Sequence, residues 1–416
     1  MRPPTTASRG CYRSGCSAPP AARVHLRAAH GLVAALPVLL LAVTLAACGP
    51  GGVRPPEAGV APPGMNGQRV STTWLRPGHG DPILASPETQ DVAIQERIGW
   101  WMGYWDTRAR ARFGRALVRM GRYEQFVDSL LAARRLPASL RYLPIIEASY
   151  NPTAESRVGA AGLWQFMPRT ARWMGLRVDD LVDERLDPFA ATPRALDYLE
   201  RLNAQFPSWF LTLAAYNAGP GRVGRAIRAS GGGDVRDDVL FLKIRDRLPP
   251  QTRDFLPKYL AAAIIAGDPA SFGFAALARD RRWLFDEASV VVAASVEAIA
   301  EAAGVPVAEV ERLNPHLRLG LTPADASTLL RLPLGSGAGF ADRFAAIPPS
   351  ARVARSVHTV APGETLWEIA RHYRLSLEEL RNANPTVEPK RLQVGTRLVI
   401  PGREGVYANP PPKGDR

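Results

Sequence analysis

Two stretches in the C-terminal third follow one plan, and that plan limits the fold more than any other feature of the chain. Residues 285–335 and 356–402 each open with a short segment containing β-branched residues, pass through two stretches of helical periodicity, reach an Asn-Pro pair and close on a strand ending in proline. Leu313-Asn314-Pro315 corresponds to Ala383-Asn384-Pro385, and Leu330-Arg331-Leu332-Pro333 to Leu398-Val399-Ile400-Pro401. The pattern predicts a βααβ unit present twice. The first copy is degenerate, because it lacks the Gly363-Glu364-Thr365 turn of the second. Residues 336–355 read as a linker and 403–416 as a disordered tail.

Upstream the periodicity is helical. Phe113, Leu117, Met120, Tyr123, Phe126 and Leu130 recur at three- and four-residue spacing, with Gly114 and Gly121 leaving open one helix or two. The same period runs through 139–150, 168–175, 189–206, 208–218 and 220–229, and few segments alternate with period two before 285. Residues 88–270 are therefore expected to form one mostly α-helical domain.

The N-terminus reads as an address. Residues 32–47 are apolar, follow a basic stretch and end in Leu45-Ala46-Ala47-Cys48-Gly49. The run is short for a membrane span and holds Pro37. It reads as a lipoprotein signal over 1–47, with Cys48 lipidated and followed by a Gly/Pro-rich tether over 48–87. An uncleaved transmembrane anchor is the other reading. Gly49 is not the Asp that favours inner-membrane retention in Gram-negative lipoproteins, so the periplasmic face of the outer membrane is expected.

Net charge is +13. That suits an acidic polymer, a membrane or a cell wall, but generic solubility of an arginine-rich chain explains it equally well. No basic-aromatic module typical of nucleic-acid binding stands out. Of three cysteines, Cys11 and Cys16 precede Cys48, and the six histidines form no metal-ligand spacing. No metal or cofactor is expected, which argues against a zinc amidase or endopeptidase.

Three motifs carry chemistry. In Leu140-Arg141-Tyr142-Leu143-Pro144-Ile145-Ile146-Glu147-Ala148-Ser149-Tyr150-Asn151-Pro152, a continuous helix would put Glu147 on a face with Leu143, Pro144, Tyr150 and Asn151. A carboxylate so placed is poorly solvated, and the raised pKa that follows suits a general acid. Read alone, it is more readily a rim glutamate bound to solvent or an arginine. Gly159 to Pro168 (GAAGLWQFMP) brings small residues and an amide, Gln165, among large apolar ones. Leu213-Ala214-Ala215-Tyr216-Asn217-Ala218-Gly219 adds a hydroxyl and an amide at what is also a plausible helix end.

As an ordered set, Glu147, GLWQFMP, Asp187-Pro188, AYNAG and the segment from Leu248 to Lys258 resemble the lytic transglycosylase family with a goose-lysozyme-like catalytic fold, in its membrane-bound D type. The resemblance implies that Glu147 is catalytic and that Gln165, Met167, Tyr216 and Asn217 line a sugar groove, with Ser149 and Ser156 as further substrate-binding candidates. Three positions depart from the family. Ala148 stands where Ser usually follows the glutamate, and Gln251 and Phe255 replace a carboxylate and a hydroxyl.

Most glycosidases use two carboxylates. Here Glu155, Asp179, Asp180, Asp183 and Glu184 sit in polar, turn-like contexts, and only Glu147 is convincing. The resemblance implies a route that needs one. Glu147 protonates the oxygen between N-acetylmuramic acid and N-acetylglucosamine in peptidoglycan, then deprotonates the muramic 6-hydroxyl, which closes to a 1,6-anhydro end. Tyr216 is expected to orient Glu147 or bind its carboxylate. Hydrolysis on the same fold and a non-catalytic wall-binding scaffold remain the other readings. Residues 356–402 resemble a LysM module, which implies glycan binding by Gly363, Glu364, Thr365 and Pro385, with Thr365 as a helix N-cap.

Overall fold

The computed structural model describes residues 80–232, 237–352, 355–373, 375–384, 387–389 and 392–401. Cys48, the signal segment, Pro385 and the tail lie outside them. The described chain is mostly α, followed by two small βααβ modules. Its helical part contains α1 (Val92–Asp106), α2 (Arg110–Met120), α3 (Glu124–Arg134), α4 (Leu143–Ala148), α5 (Pro168–Trp173), α6 (Pro188–Gln205), α7 (Trp209–Ala218), α8 (Pro220–Ala229), α9 (Asp238–Ile244) and α10 (Pro250–Gly267).

Two helices form the centre. In α10, Phe255, Leu256, Pro257 and every residue from Tyr259 to Ala266 are buried, and α7 is buried from Phe210 to Ala215. A helix apolar on all sides belongs inside a protein. Here α10 packs against α1, α7 and α4, and its run Ala261-Ala262-Ala263 lets those neighbours approach closely. Helix starts are fixed by side chains that accept backbone protons: Asp91 from Ile94, Asp187 from Phe189 and Ser208 from Leu211. Each such cap stabilises by about 1 kcal/mol.

The glycines expected to divide 110–130 have separate uses. The break falls at Gly121, where a Cβ would lie 2.4 Å from the carbonyl oxygen of Asp280. Gly114 stays inside α2, close against Leu277 and Phe274. Both make room for the returning segment 271–284, whose Trp283 packs edge-on to Tyr123.

The expected tether ends earlier than residue 87. Ile83 and Leu84 are core residues, and Asp81 is buried, accepting from Ser139 N at 2.7 Å and Ser139 Oγ at 2.9 Å. The carboxylate pins this stretch to the helical domain.

The first module pairs β1 (Phe285–Val290) antiparallel with β2 (Thr328–Pro333), with α11 (Val296–Ala303) and α12 (Val307–Leu313) between them. Residues 336–355, expected as a linker, instead form α13 (Phe340–Ala346) and α14 (Pro349–Arg352). Phe340, Phe344 and Ile347 enter the module's core, which explains why this segment folds back. The second module pairs β3 (Arg355–Thr359) with β4 (Arg397–Pro401) around α15 (Leu366–His372) and α16 (Leu377–Ala383). Thr365 caps α15 as expected, in a reciprocal capping box with Glu368. The repeated Asn has one shared task. Asn314 and Asn384 are both buried, and each donates to the carbonyl four residues back, Val310 and Leu380.

The first module is docked on the helical domain. Arg331 donates to Asp187 at 2.6 Å in a buried pair, Val182 bridges Leu317, and Arg318 reaches Asp183 and Glu155. Behind this seam a cavity of about 770 Å³ is lined by Phe126, Phe189, Trp283 and Arg331 but not by Glu147.

Candidate active site

Glu147 is the penultimate residue of a six-residue helix. The continuous helix expected through Asn151 does not form. Ser149 (φ 50°) and Tyr150 (φ 53°) both take left-handed backbone, strained for residues with a Cβ, and end α4 immediately after Ala148. The strain is held by packing. Tyr150 is fully buried, its hydroxyl donates to Arg141 O at 2.7 Å, and Ser149 Oγ accepts from Arg112 Nε at 3.0 Å. Tyr150 and Asn151 therefore leave the face that the periodicity gave them, and Ser149 is buried and engaged by an arginine.

The half-buried carboxylate of Glu147 has its pKa raised to about 7. Burial is the cause, because it penalises the charged form. Against burial stands one influence, the ammonium of Lys258. Lys258 comes from α10, donates to Ile146 O at 3.3 Å and sits 5.2 Å from the ring centroid of Trp101. Its own pKa is lowered, first by burial. Lys258 closed the motif set in the sequence without a role of its own, since nothing local marks it as a neighbour of Glu147.

The loop after α4 is held to α7, where Trp164 O accepts from the Tyr216 hydroxyl. Bridges Glu155–Ala161 and Ala161–Phe166 fold it back on itself. Gly162 (φ +80°) is required there, since a Cβ would lie 1.7 Å from Arg185 O. The buried Arg185 guanidinium pairs with Asp183 and donates to Gly159 O at 2.6 Å and Phe166 O at 2.9 Å. Gln165, also at positive φ, spends its amide protons on Ala154 O (3.1 Å) and Gly162 O (2.9 Å), and Ser156 Oγ accepts from Ala160 N at 2.9 Å. Met167 begins α5 as its N-cap and is half-buried.

Tyr216 corrects the expectation. Its hydroxyl donates to Trp164 O at 2.7 Å, so its single proton is committed to the loop and does not orient Glu147. It remains close enough for the Glu147 charge to raise its pKa further, after burial. Asn217 Oδ1 accepts from Thr252 Oγ1 at 2.9 Å, tying α7 to the start of α10. Phe255 is buried and Gln251 is exposed at the solvent end of that helix.

Other carboxylates near the loop have separate tasks. Glu155 pairs with Arg318, Asp179 with Arg177, and Asp183 with Arg185; Glu184 accepts from Arg177 N at 2.6 Å, and Asp180 is exposed. In the second module Gly363 (φ +85°) forms the turn, and Glu364 accepts from Ala361 N at 2.6 Å and meets His358 Nε2 at 2.7 Å.

A helical domain holding a poorly solvated glutamate with its pKa raised to about 7, followed by two small βααβ modules, is the class of protein that the fold and site define. Family models match in the same order: the Transglycosylase SLT domain over 130–238, the LysM-like domain of lytic transglycosylase MltD over 285–348, and the LysM domain over 358–401. The second match reaches past 335, as the packing of α13 does. Membrane-bound lytic murein transglycosylase D of Escherichia coli is 30% identical over 289 residues, covering 67% of this chain and 63% of that protein. The chain thus spans slightly under two thirds of the length of that relative. Membrane-bound lytic murein transglycosylase F of Vibrio cholerae is 34% identical over 159 residues, 35% of this chain and 27% of that one. The 70 kDa soluble lytic transglycosylase of Escherichia coli, a solved structure, aligns over 46% of this chain and 35% of its own at 22% identity and a TM-score of 0.32. The chain thus carries an SLT domain followed by an MltD-type LysM-like domain and a LysM domain, and in that order it is similar to lytic murein transglycosylase D.

Proposed function

We propose that this chain cleaves peptidoglycan glycan strands between N-acetylmuramic acid and N-acetylglucosamine and leaves 1,6-anhydro ends. The observation that carries the reading is the single carboxylate at Glu147, its pKa raised to about 7. A group balanced near neutrality can serve as acid and then as base. Glu147 protonates the glycosidic oxygen as the bond to the muramic anomeric carbon breaks. The N-acetyl oxygen of the muramic residue stabilises the positive charge that develops there. Glu147, now ionised, takes the proton of the muramic 6-hydroxyl, whose oxygen bonds to the anomeric carbon. An internal nucleophile of this kind gains an effective molarity of roughly 10⁵ M or more, so no second carboxylate is needed to activate water.

The second module adds strand binding through the turn at Gly363, Glu364 and Thr365. Lipidation at Cys48 holds the chain in the cell envelope, on the periplasmic face of the outer membrane. The membrane-bound names of its relatives support the membrane association.

Mass spectrometry of the fragments released from purified peptidoglycan tests the reaction. Anhydro-muropeptides from the wild type and none from Glu147→Gln are expected. Reducing ends from the wild type make the chain a hydrolase instead, and no fragments at all make it a binding scaffold.

A further inference from the structure

Trp173, the last residue of α5, is 61% exposed, the most exposed tryptophan among the described large apolar side chains. A single exposed apolar side chain is ordinary on a protein surface, and it is a contiguous group that marks a binding place. Trp173 does not stand alone. Its ring meets Tyr198 edge-on at 6.2 Å, Tyr198 lies 5.7 Å from Tyr216, and Phe166 closes the group at 6.1 Å from Tyr198 and 6.5 Å from Tyr216. The rings form a row from the tyrosine beside Glu147 out to the protein surface.

Arg201, one turn beyond Tyr198 on α6, places its guanidinium 5.2 Å from the Trp173 ring centroid. That contact holds the indole against the domain and leaves the rest of it open. Among the described residues Arg201 has no carboxylate partner, so the outer end of the row carries an uncompensated cation. A flat ring edged by such a cation suits a pyranose whose C–H face stacks on the π surface and whose substituents carry carboxylates.

We propose that Trp173 and Arg201 form a distal subsite for the muramic-acid-containing glycan strand, reached through Tyr198 and continuous with the cleft at Tyr216. The proposal rests on the reading of the cleft as a peptidoglycan-cleaving site and deepens it: the chain selects long strands over short ones. A strand that occupies the subsite must extend past the sugars flanking the cut bond. A tetrasaccharide at the bond does not fill both places.

Two measurements test it. With the wild-type chain and Trp173→Ala, kcat/KM is compared for uncrosslinked glycan strands and for a tetrasaccharide of the same repeat. The preference for long strands should fall about 10-fold in Trp173→Ala, through KM, and recover in Trp173→Phe, as expected for one lost stacking contact. An unchanged ratio overturns the proposal. The second measurement does not need turnover. The Glu147→Gln chain carrying 5-fluorotryptophan is titrated with the same strands, the Trp173 resonance being assigned by its loss in Glu147→Gln/Trp173→Phe. A shift with long strands and none with the tetrasaccharide supports the subsite. Strand binding that leaves this resonance unmoved defeats the subsite alone. If no strand binds anywhere, the reading of the cleft falls with it.

Discussion

Lys258 donates its proton to the carbonyl of Ile146, at 3.3 Å, and so sits one peptide away from Glu147. It is the one charge that acts against the burial of that carboxylate. Removing the cation raises the pKa of Glu147 further. In the proposed reaction, which begins with protonated Glu147, the alkaline limb of the pH–rate profile should lie near pH 7 in the wild type. In Lys258→Met it should move to higher pH. Profiles of kcat against pH for the two proteins check this, and an unmoved limb shows that Lys258 acts only as a packing group.

Glu147→Gln should lose about 10³-fold in kcat, the usual size of a general acid–base contribution. It should also change stability, with a sign that follows from linkage. The folded pKa, about 7, lies above the ordinary value of 4.5, so between those two values the native state holds more protons than the unfolded one. Wild-type stability therefore falls as pH rises through that window, by about 1–3 kcal/mol in all. Glu147→Gln lacks this loss. Urea melts at pH 5 and pH 8 should show a smaller difference between the two pH values for the variant.

Two glycines in one loop should respond unequally. Gly162→Ala drives a Cβ into Arg185 O, and about 3 kcal/mol of destabilisation with collapse of activity is expected. Gly159 has a similar φ of +84° but nothing within 4 Å of its would-be Cβ, so Gly159→Ala should cost about 1 kcal/mol. Thermal melts of the pair separate backbone strain from collision.

The docked first module makes a further prediction. Arg331→Ala leaves the buried Asp187 carboxylate without its main partner, an expected loss of about 3 kcal/mol. Because Asp187 also caps α6, the loss should appear in the melting of the helical domain and not only of the module. A variant whose melting temperature stays within a degree of wild type contradicts the docking.

Much of this was legible along the chain. The helical stretches at 189–206, 208–218 and 220–229 appear as Pro188–Gln205, Trp209–Ala218 and Pro220–Ala229, the first and last with a clear apolar period and the middle one apolar throughout. The βααβ repeat also stands, with its buried asparagines. The misreadings share a cause, which is contact at long range. Residues 80–87 look like tether until Asp81 finds Ser139, and 336–355 look like linker until Phe340 and Phe344 find the module core. In the site, periodicity carried Tyr150 onto the face of Glu147, but the chain turns left-handed first. Tyr216 carries a suitable hydroxyl, yet Trp164 O takes its proton. Lys258 lies 112 residues along the chain from Ile146, and no local pattern joins them.

The reversal at Ser149 and Tyr150 has a consequence for how such a cleft can change over time. The proposed proton donor is carried by covalent geometry and a buried turn, so it needs no clasp from the opposite bank. Side chains there can be exchanged while the carboxylate keeps its station. What the cleft grips is free to drift, and the place where it cuts is not.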